Sequence, residues 1–431
     1  MTTHADVVVL GAGPAGAAVA RRLAADGAVV AVVTGTPPAA AREGYSRRTR
    51  ERLLEAGLDE AVAVLEGPVP RAGHWGDGRV VDGLEWLADR ARVAPSLEAA
   101  LARAGVARIA GPAIRVARTA AGFVVESATA RIAARLVVDA RGRRGPQSRG
   151  PLLLAIGRTF AQASGRPSTR IMPWSQGWCW LADDGARVFV QLVGAARGGS
   201  RPVHWFESAA AEVPGLGPIL AAPAAGALVA RPAHARLGRA SPEPGLWRVG
   251  DAALALDPLS GQGAYEALRG AAAVAAAVAT VLEGGDEALA ARFVAERYGE
   301  VWSSAVATAA RFYAENAAQG AFWTETAAAY AALVPVLAAG AARIERRPVL
   351  ENGRIRERAV LVTAAAPRGA WHVAGVPLVA LLDLVRDARP ATPAVLDVAR
   401  RLDRPPAAVA TALAWLKASG ALAAPREASP S

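Results

Sequence analysis

The stretch Asp6-Val-Val-Val-Leu10-Gly11-Ala-Gly13-Pro-Ala-Gly16 decides the fold of this chain. A short apolar run, typical of a buried β-strand, leads directly into the pattern G-x-G-x-x-G. An alanine-rich segment up to Asp26 follows and predicts a helix, and a second apolar run, Ala28 to Val33, predicts the next strand. Strand, glycine turn, helix and strand in this order predict a dinucleotide-binding βαβ unit.

Each glycine of the turn has its own task. Gly11 permits the tight turn, Gly13 lets the backbone approach a pyrophosphate, and Gly16 lets the helix pack on the strand. We assign Pro14 and Ala15, which lie between them, to the same cofactor-binding turn. The free N–H groups and the dipole of the helix N-terminus are expected to face the phosphates.

The second strand lacks the acidic residue that usually binds the adenosine ribose. It ends in Val33-Thr34-Gly35 instead. We expect the hydroxyl of Thr34 to bind the ribose, more weakly than a carboxylate would.

A second constellation lies far downstream. Leu246 to Asp251 predicts a strand that ends in a Gly-Asp turn, and Asp257-Pro-Leu-Ser-Gly261-Gln-Gly263 leads into an alanine-rich helix from Tyr265 to about Leu282. An NAD site needs only one βαβ fingerprint, so a second glycine-rich helix start points to another dinucleotide. The whole arrangement resembles the FAD-binding fold of class A flavoprotein monooxygenases.

That resemblance implies roles for the downstream residues. In the family the aspartate that corresponds to Asp251 holds the ribityl chain of FAD. The loop that corresponds to Pro258, Gly261, Gln262 and Gly263 lies beside the flavin ring, where the following helix N-terminus favours negative charge on the reduced ring.

Three further segments extend the resemblance. Trp86 to Leu97 resembles the family's D-R-x-x-F-D-x-x-L, which implies that Arg90 touches the flavin nucleotide, although Val93-Ala94 replaces Phe-Asp. Leu136 to Arg143 resembles V-D-A-T-G-R, with Arg141 in place of threonine. Residues 44–58 resemble a stretch of the related flavin-dependent halogenases, and we assign Arg48 within it to the cofactor site.

The predicted fold class is α/β: a Rossmann-like FAD-binding fold of the class A monooxygenase type, with an antiparallel substrate-binding sheet and a C-terminal winged-helix-like module. Residues 1–165 and 240–290 are expected to form a discontinuous FAD-binding domain. Residues 166–239 are assigned to the substrate-binding domain, 291–370 to a helical connector with one strand at 354–363, and 371–431 to the C-terminal module.

Composition narrows the function classes. The 431 residues carry a net charge of +11, nearly all from arginine, since Lys417 is the single lysine. We interpret this charge as a solvated basic surface and expect no nucleic-acid partner, while a site for an acidic or peptide partner stays open.

Thr326 to Ala342 is expected to be a buried helix, not a membrane span. The first strand starts near residue 5, which leaves no signal peptide, and the single Cys179 suits a reducing compartment, so we expect a cytoplasmic protein with no membrane partner.

The chemistry is limited by a residue that the sequence lacks. Gly177-Trp-Cys-Trp180 and the segment from Arg311 to Trp323 resemble halogenase motifs, yet flavin halogenases need a lysine near the substrate, and no lysine precedes Lys417. Arginine stays protonated and cannot replace it. The resemblance therefore implies hydroxylation of an aromatic ring through a flavin C4a-hydroperoxide, with FAD as cofactor, NAD(P)H as reductant and no metal.

The catalytic residues remain unknown at this point. His74, His204 and Glu207 are weak candidates for a general base in the substrate region. Tryptophans are enriched there and are candidates to stack an aromatic substrate or to form ordinary core; they are Trp75, Trp174, Trp178, Trp180 and Trp205.

Within the superfamily the chain most resembles the flavoprotein monooxygenases of tryptophylquinone cofactor biogenesis, which serve quinohemoprotein amine dehydrogenase. This implies a tryptophan of a peptide or small-protein precursor as the substrate, and the C-terminal module as its docking site, unless that module is a structural lid or dimer contact. A monooxygenase of a small aromatic metabolite, a prenyl-type flavin reductase, and a flavin-fold scaffold with weak cofactor binding are the alternatives.

Overall fold

The computed structural model describes residues 2–35, 41–76, 78–80, 83–143, 150–162, 164–195, 201–335, 341–388 and 394–423. The strands are β1 Thr2–Leu10, β2 Val30–Thr34, β3 Arg42–Tyr45, β4 Glu66–Trp75, β5 Arg79–Val80, β6 Gly83–Asp89, β7 Ala107–Ala110, β8 Ala113–Thr119, β9 Gly122–Ser127, β10 Arg131–Asp139, β11 Leu153–Phe160, β12 Ser168–Trp174, β13 Gly177–Asp183, β14 Val188–Ala195, β15 Val229–Pro232, β16 Arg236–Leu237, β17 Leu246–Arg248, β18 Leu254–Ala255, β19 Arg343–Glu351, β20 Arg354–Thr363, β21 Ala366–Ala370, β22 His372–Val373 and β23 Val376–Pro377. The α-helices are α1 Pro14–Ala25, α2 Arg47–Glu55, α3 Asp59–Ala63, α4 Arg90–Arg103, α5 Pro202–Glu212, α6 Gly217–Leu220, α7 Gly263–Leu282, α8 Glu287–Ala314, α9 Ala321–Ala331, α10 Leu378–Asp387, α11 Val395–Leu402 and α12 Pro406–Ala418. Short 3₁₀ turns cover Gly250–Ala252, Pro258–Ser260, Ala317–Gln319 and Ala421–Ala423.

The first sheet carries the predicted βαβ unit. Its order is β7-β2-β1-β10-β9-β8, and β17 joins the second half of β10. Strands β7, β2, β1, β10 and β17 are parallel to one another where they pair. Val7, Val8 and Val9 are fully buried, as expected for a parallel strand covered on both faces. The glycine turn after β1, the Asp139–Arg143 segment after β10 and the Gly-Asp turn after β17 therefore all follow carboxyl ends of parallel strands at one edge of this sheet, and the α/β fold class is confirmed.

The second sheet has the order β15-β11-β14-β13-β12-β4-β6-β3, with β5 attached to β4. It is larger than the expected substrate-binding segment 166–239, because β3, β4, β6 and β11 come from the range 1–165 that we assigned to the FAD-binding domain. Trp178 on β13 packs into the core shared with the first sheet, whereas the adjacent Cys179 packs towards α5. Because side chains alternate along a strand, this sheet has two different faces. We call the face that carries Trp178 and packs towards the first sheet the cofactor-side face, and the opposite face, which carries Cys179, the outer face.

Residues 343–370 differ from the predicted helical connector. The segment 291–335 is helical as expected, in α8 and α9, and β20 is the strand expected at 354–363. The strands β19 and β21 were not expected, and they pair with β20 in an antiparallel sheet. Charged side chains pair across it, as in Arg346 Nε to Glu357 Oε2 at 2.8 Å and Arg358 Nη2 to Glu351 Oε2 at 2.6 Å. These pairs suit an exposed sheet face, and their strand partners cannot be read from a charge-rich local sequence.

Helix α7 is the one helix in the described residues that is long and apolar enough to cross a membrane. In this structure 61% of the most apolar 18-residue stretch of α7 is buried, and the helix packs against α1, α8 and β20. The hydroxyl of Thr280 donates to the Ala276 carbonyl at 2.7 Å and accepts from the Ile355 N–H at 2.9 Å. This buried bond fastens the three-stranded sheet to the cofactor-binding core. The expected buried helix at 326–342 corresponds in part to α9, while residues 336–340 lie outside the described range.

The C-terminal module has its own core. The hairpin β22–β23 precedes α10, α11 and α12, which agrees with the winged-helix-like arrangement expected from the sequence. Leu381, Leu382, Val398, Val409 and Leu416 are almost fully buried together, and Leu361 of β20 joins the same cluster. The predicted turn at 388–393 lies mostly outside the described residues.

We predict that Thr280→Val lowers the free energy of unfolding by about 1–3 kcal/mol, because the buried N–H of Ile355 loses its acceptor while the side-chain shape is kept. Urea denaturation measures this change. Thr324→Val is the matched control, since its exposed hydroxyl bonds only to the Ala321 carbonyl of its own helix. Equal denaturation midpoints for both variants would contradict the predicted role of Thr280.

Candidate cofactor site

The glycine turn between β1 and α1 has the geometry that a pyrophosphate needs. Gly11 adopts a φ of +106°, and a Cβ there would lie 2.7 Å from the Ala140 carbonyl oxygen. A Cβ on Gly16 would lie 2.1 Å from the carbonyl oxygen of Gly11. A Cβ on Gly13, by contrast, would meet nothing within 4 Å among the described residues. The protein itself therefore requires glycine at 11 and 16, whereas the space at Gly13 is open to a ligand.

The start of helix α1 is ready to bind an anion. Gly13 is its N-cap and supplies no side-chain hydrogen bond to the first turn, and Pro14 occupies the first helical position. Ala15 is buried beneath this turn. Because no side chain caps the first N–H groups, they are available to phosphate oxygens.

The hydroxyl of Thr34, which we expect to bind the ribose, already has a hydrogen-bond partner within the protein. Thr34 is only 7% exposed, and its hydroxyl donates to the Ile109 carbonyl of β7 at 3.3 Å. Its role in cofactor binding stays a prediction. Arg48 is exposed on α2, a helix that packs against α7, and its predicted contact with the cofactor is likewise not tested by this geometry.

Arg90 begins α4 and is held by a carboxylate that sequence reasoning missed. Its Nε donates to Glu43 Oε1 at 2.6 Å, while Tyr45 donates to the other oxygen at 3.3 Å. Arg231, on the cofactor-side face of β15, lies 3.9 Å from the same Glu43 oxygen. The motif arginine is therefore one member of a cluster of two cations and one carboxylate.

The charges in this cluster shift each other's pKa. Burial alone would raise the pKa of Glu43, but Arg90 and Arg231 more than offset it, and the pKa is lowered. Glu43 in turn raises the pKa of Arg90. Burial, together with the neighbouring cations Arg90 and Arg143, lowers the pKa of Arg231 to about 10. All three groups are charged at neutral pH and leave one excess positive charge.

Asp251 meets another residue that we had not assigned. Its carboxylate accepts from Arg143 Nε at 3.0 Å, and Arg143 also donates to the carbonyls of His234 at 2.7 Å and Leu256 at 3.2 Å. Arg143 thus joins the end of the β10 motif to the Gly-Asp turn and to the residue before Asp257. Its place directly after Gly142 in the V-D-A-x-G-R pattern was the available signal.

Arg141, which replaces the family's threonine, turns back onto its own strand. Its Nε and Nη2 each lie 2.9 Å from an oxygen of Asp139. Burial would raise the pKa of Asp139, but this bidentate pair outweighs it and lowers the pKa. The carboxylate of Asp139 thereby neutralises the positive charge that arginine brings in place of threonine.

The loop Asp257–Gly263 presents its backbone outwards. Gly261 and Gln262 are exposed, Pro258 and Gly263 are partly exposed, and nothing lies within 4 Å of a Cβ built on either Gly261 or Gly263. The side chain of Asp257 is turned inwards and is 4% exposed. The open loop face leaves room for a flat ring beside the start of α7.

Two of the three catalytic candidates, His204 and Glu207, are not brought to this site. His204 and Glu207 are exposed on α5, which packs through Phe206 on the outer face of the second sheet, opposite the face that carries Trp178. The side chain of His74 lies outside the described part of the structure. Within the described residues no group of three or more His, Cys, Asp or Glu side chains is suited to hold a metal.

The tryptophans mostly build the core. Trp75, Trp174 and Trp178 are 4% exposed or less, and the indole N–H of Trp178 donates to the Tyr313 hydroxyl at 3.3 Å. Trp205 packs with the outer-face cluster. Trp180 is partly exposed on the cofactor-side face, where its ring lies 6.3 Å from that of Phe189.

We predict that Gly13→Val weakens FAD binding by roughly 10- to 100-fold, because the side chain fills the open space and overpacking costs about 1–3 kcal/mol. The FAD content and dissociation constant of the purified protein measure this loss. Gly299→Val is the matched control, since that glycine on α8 also has nothing within 4 Å of a built Cβ. An unchanged FAD dissociation constant in Gly13→Val would rule out this turn as the pyrophosphate site.

No model of a protein family matches the chain, and no curated protein matches it. Among solved structures, the peptidyl tryptophan dihydroxylase QhpG, essential for tryptophylquinone cofactor biogenesis, matches with a TM-score of 0.83 and 30% sequence identity over 97% of this chain and 100% of that one. The flavin-dependent halogenase CmlS matches with a TM-score of 0.71 at 17% identity, over 97% of this chain and 96% of that one.

The p-nitrophenol 4-monooxygenase PnpA from Pseudomonas putida DLL-E4 matches with a TM-score of 0.60 at 17% identity, over 78% of this chain and 95% of that one. At 17% identity the last two likenesses show the fold alone. The match to QhpG is closer and runs from end to end, and the residues of the glycine turn and of the Asp251 and Asp257 loops suit FAD. The chain belongs to the family of FAD-dependent flavoprotein monooxygenases that includes this peptidyl tryptophan dihydroxylase.

Proposed function

We propose that this protein is an FAD- and O₂-dependent monooxygenase that hydroxylates a tryptophan within a peptide or small-protein precursor during quinone cofactor biogenesis. The observation that carries the proposal is the likeness to QhpG, which extends over 97% of the chain and so includes the C-terminal module. A flavin fold alone would not need that module.

The lack of lysine supports hydroxylation over halogenation. The single lysine, Lys417, lies on α12 in the C-terminal module, and the described cations near the cofactor motifs are arginines. The guanidinium groups of Arg90 and Arg231 remain protonated and act as fixed charges. Bound FAD would supply the oxygen chemistry, and the protein would orient the ring and exclude water.

Trp180 supports an aromatic substrate. It stands on the cofactor-side face of the second sheet and keeps part of its ring exposed. An indole in an offset or edge-to-face contact with such a ring gains about 0.5–1.5 kcal/mol beyond its buried area. We assign Trp180 to the substrate contact.

Reductant and location complete the proposal. NAD(P)H is proposed as the electron donor, and the cytoplasm as the compartment, since the single cysteine is a buried free thiol and the apolar helix α7 is part of the core. Neither a nucleic acid nor a membrane is part of the proposed reaction.

We predict that the reconstituted enzyme, with NAD(P)H and O₂, adds two oxygen atoms to one tryptophan of the precursor polypeptide of a tryptophylquinone enzyme. Mass spectrometry of the polypeptide measures the gain. The same polypeptide with that tryptophan replaced by phenylalanine is the control, and it should gain nothing.

Two results would contradict this assignment. Equal turnover of free tryptophan or another small aromatic compound would favour a metabolite hydroxylase. A brominated product in bromide-containing buffer, lost when FAD is omitted, would overturn the argument from the missing lysine.

We predict that ending the chain after Ala370 raises the KM for the polypeptide about 100-fold or more and changes kcat little, because docking raises the effective concentration of the ring at the flavin. FAD content is checked first, since the truncation uncovers Leu361, which is buried against the module. An unchanged KM with intact FAD would make the module a structural lid or dimer contact.

A further inference from the structure

The carboxyl group of Asp257 points away from the open face of the loop Asp257–Gly263. Its Oδ2 accepts from the Tyr330 hydroxyl at 2.6 Å and from the Tyr313 hydroxyl at 3.1 Å. Its Oδ1 accepts from the Leu259 N–H at 2.9 Å and so caps the 3₁₀ turn within the loop. One buried side chain thus ties the loop to two different helices.

The two tyrosines come from separate elements and are completely buried. Tyr313 lies near the end of α8 and Tyr330 on α9, and their rings stack with centroids 5.7 Å apart and planes 17° from parallel. The Tyr313 hydroxyl also accepts from the indole N–H of Trp178 on β13 at 3.3 Å. Hydrogen bonds therefore run without a break from the second sheet, through Tyr313 and Asp257, to the loop.

Packing alone does not account for this arrangement. Phenylalanine would fill the same space, and a buried carboxyl group costs free energy unless donors surround it. Burial raises the pKa of Asp257 above its ordinary value, and the donors from Tyr330, Leu259 and Tyr313 partly offset that shift. Each donor matters more because, among the described residues, nothing lies within 4 Å of a Cβ built on Gly261 or Gly263 of this loop.

We propose that Tyr313 and Tyr330 are positioning residues that hold the loop Asp257–Gly263, through Asp257, in its place beside the flavin ring. Through its hydrogen bond with Trp178, Tyr313 also links the loop to the sheet that carries Trp180. The loop ends at the N-terminus of α7, so its position decides how closely that positive helix end approaches the ring. The inference rests on the proposed function for one measurement only, the share of NAD(P)H that is oxidised to H₂O₂ without product.

The test uses the full-length protein with Tyr313→Phe, Tyr330→Phe and the double substitution. Tyr298→Phe is the matched control, because Tyr298 is also buried on α8 but its hydroxyl makes only a 3.5 Å contact with the Arg248 carbonyl. We measure the FAD dissociation constant, the midpoint potential of the bound flavin, and the share of NAD(P)H oxidised to H₂O₂ without product.

The double variant should bind FAD about tenfold more weakly, since two hydrogen bonds to the buried carboxyl group of Asp257 are lost. Its midpoint potential should become more negative, because the helix N-terminus stabilises the reduced anion less, and its H₂O₂ share should rise. Each single variant should shift these values in the same direction, and Tyr298→Phe should leave them unchanged.

A lower denaturation midpoint with unchanged FAD affinity and midpoint potential would overturn the proposal and leave the tyrosines a merely structural role. The single variants preserve the test if the double variant does not fold. Affinity and potential need no aromatic substrate, so they remain decisive even if the proposed peptide hydroxylation is absent.

Discussion

The structure depends on one close approach, between the end of β1, the start of α1 and the end of β10. A side chain at Gly16 would collide with the carbonyl oxygen of Gly11, and one at Gly11 would collide with that of Ala140. This contact brings the Arg143 segment beside the glycine turn. The Gly-Asp turn joins them from the other side, because a Cβ on Gly250 would lie 3.0 Å from that of Ala15. Three distant motifs thereby meet beside Gly13, where nothing in the described part of the chain lies within 4 Å of a built Cβ.

Charge around that space is arranged for an anionic dinucleotide. Arg90 and Arg231 both lie against the carboxylate of Glu43. Arg143 pairs with Asp251, and the backbone carbonyl of Arg143 accepts from Arg236. Each group carries more positive than negative charge, and each carboxylate fixes a guanidinium in place. Preorganised cations bind phosphate or a reduced flavin without the entropy cost of ordering long side chains at the moment of binding.

The local sequence was sufficient to predict those parts of the site that are formed by residues close together in the chain. The turn Gly11–Gly16, the Gly-Asp turn at Asp251 and the loop Asp257–Gly263 follow from glycine geometry and from strand and helix periodicity within a few residues. The strand at 354–363 was expected, but its neighbours β19 and β21 were missed, because their pairing with β20, and not their own charge-rich sequence, stabilises them. Tyr313 fell within a motif that we quoted, but nothing in the sequence indicates that it and Tyr330 meet a carboxylate 56 and 73 residues earlier. For the same reason His204 and Glu207 were candidates until the sheet placed α5 on its outer face.

The proposed function requires that oxygen from O₂ reach the indole of a tryptophan within a peptide, in a reaction that bound FAD would support. The most direct measurement is turnover of the precursor polypeptide under ¹⁸O₂, followed by mass spectrometry of its tryptophan. We expect both new oxygen atoms to carry the label. Unlabelled hydroxyl groups, or a substrate that gains hydrogen and no oxygen, would contradict it.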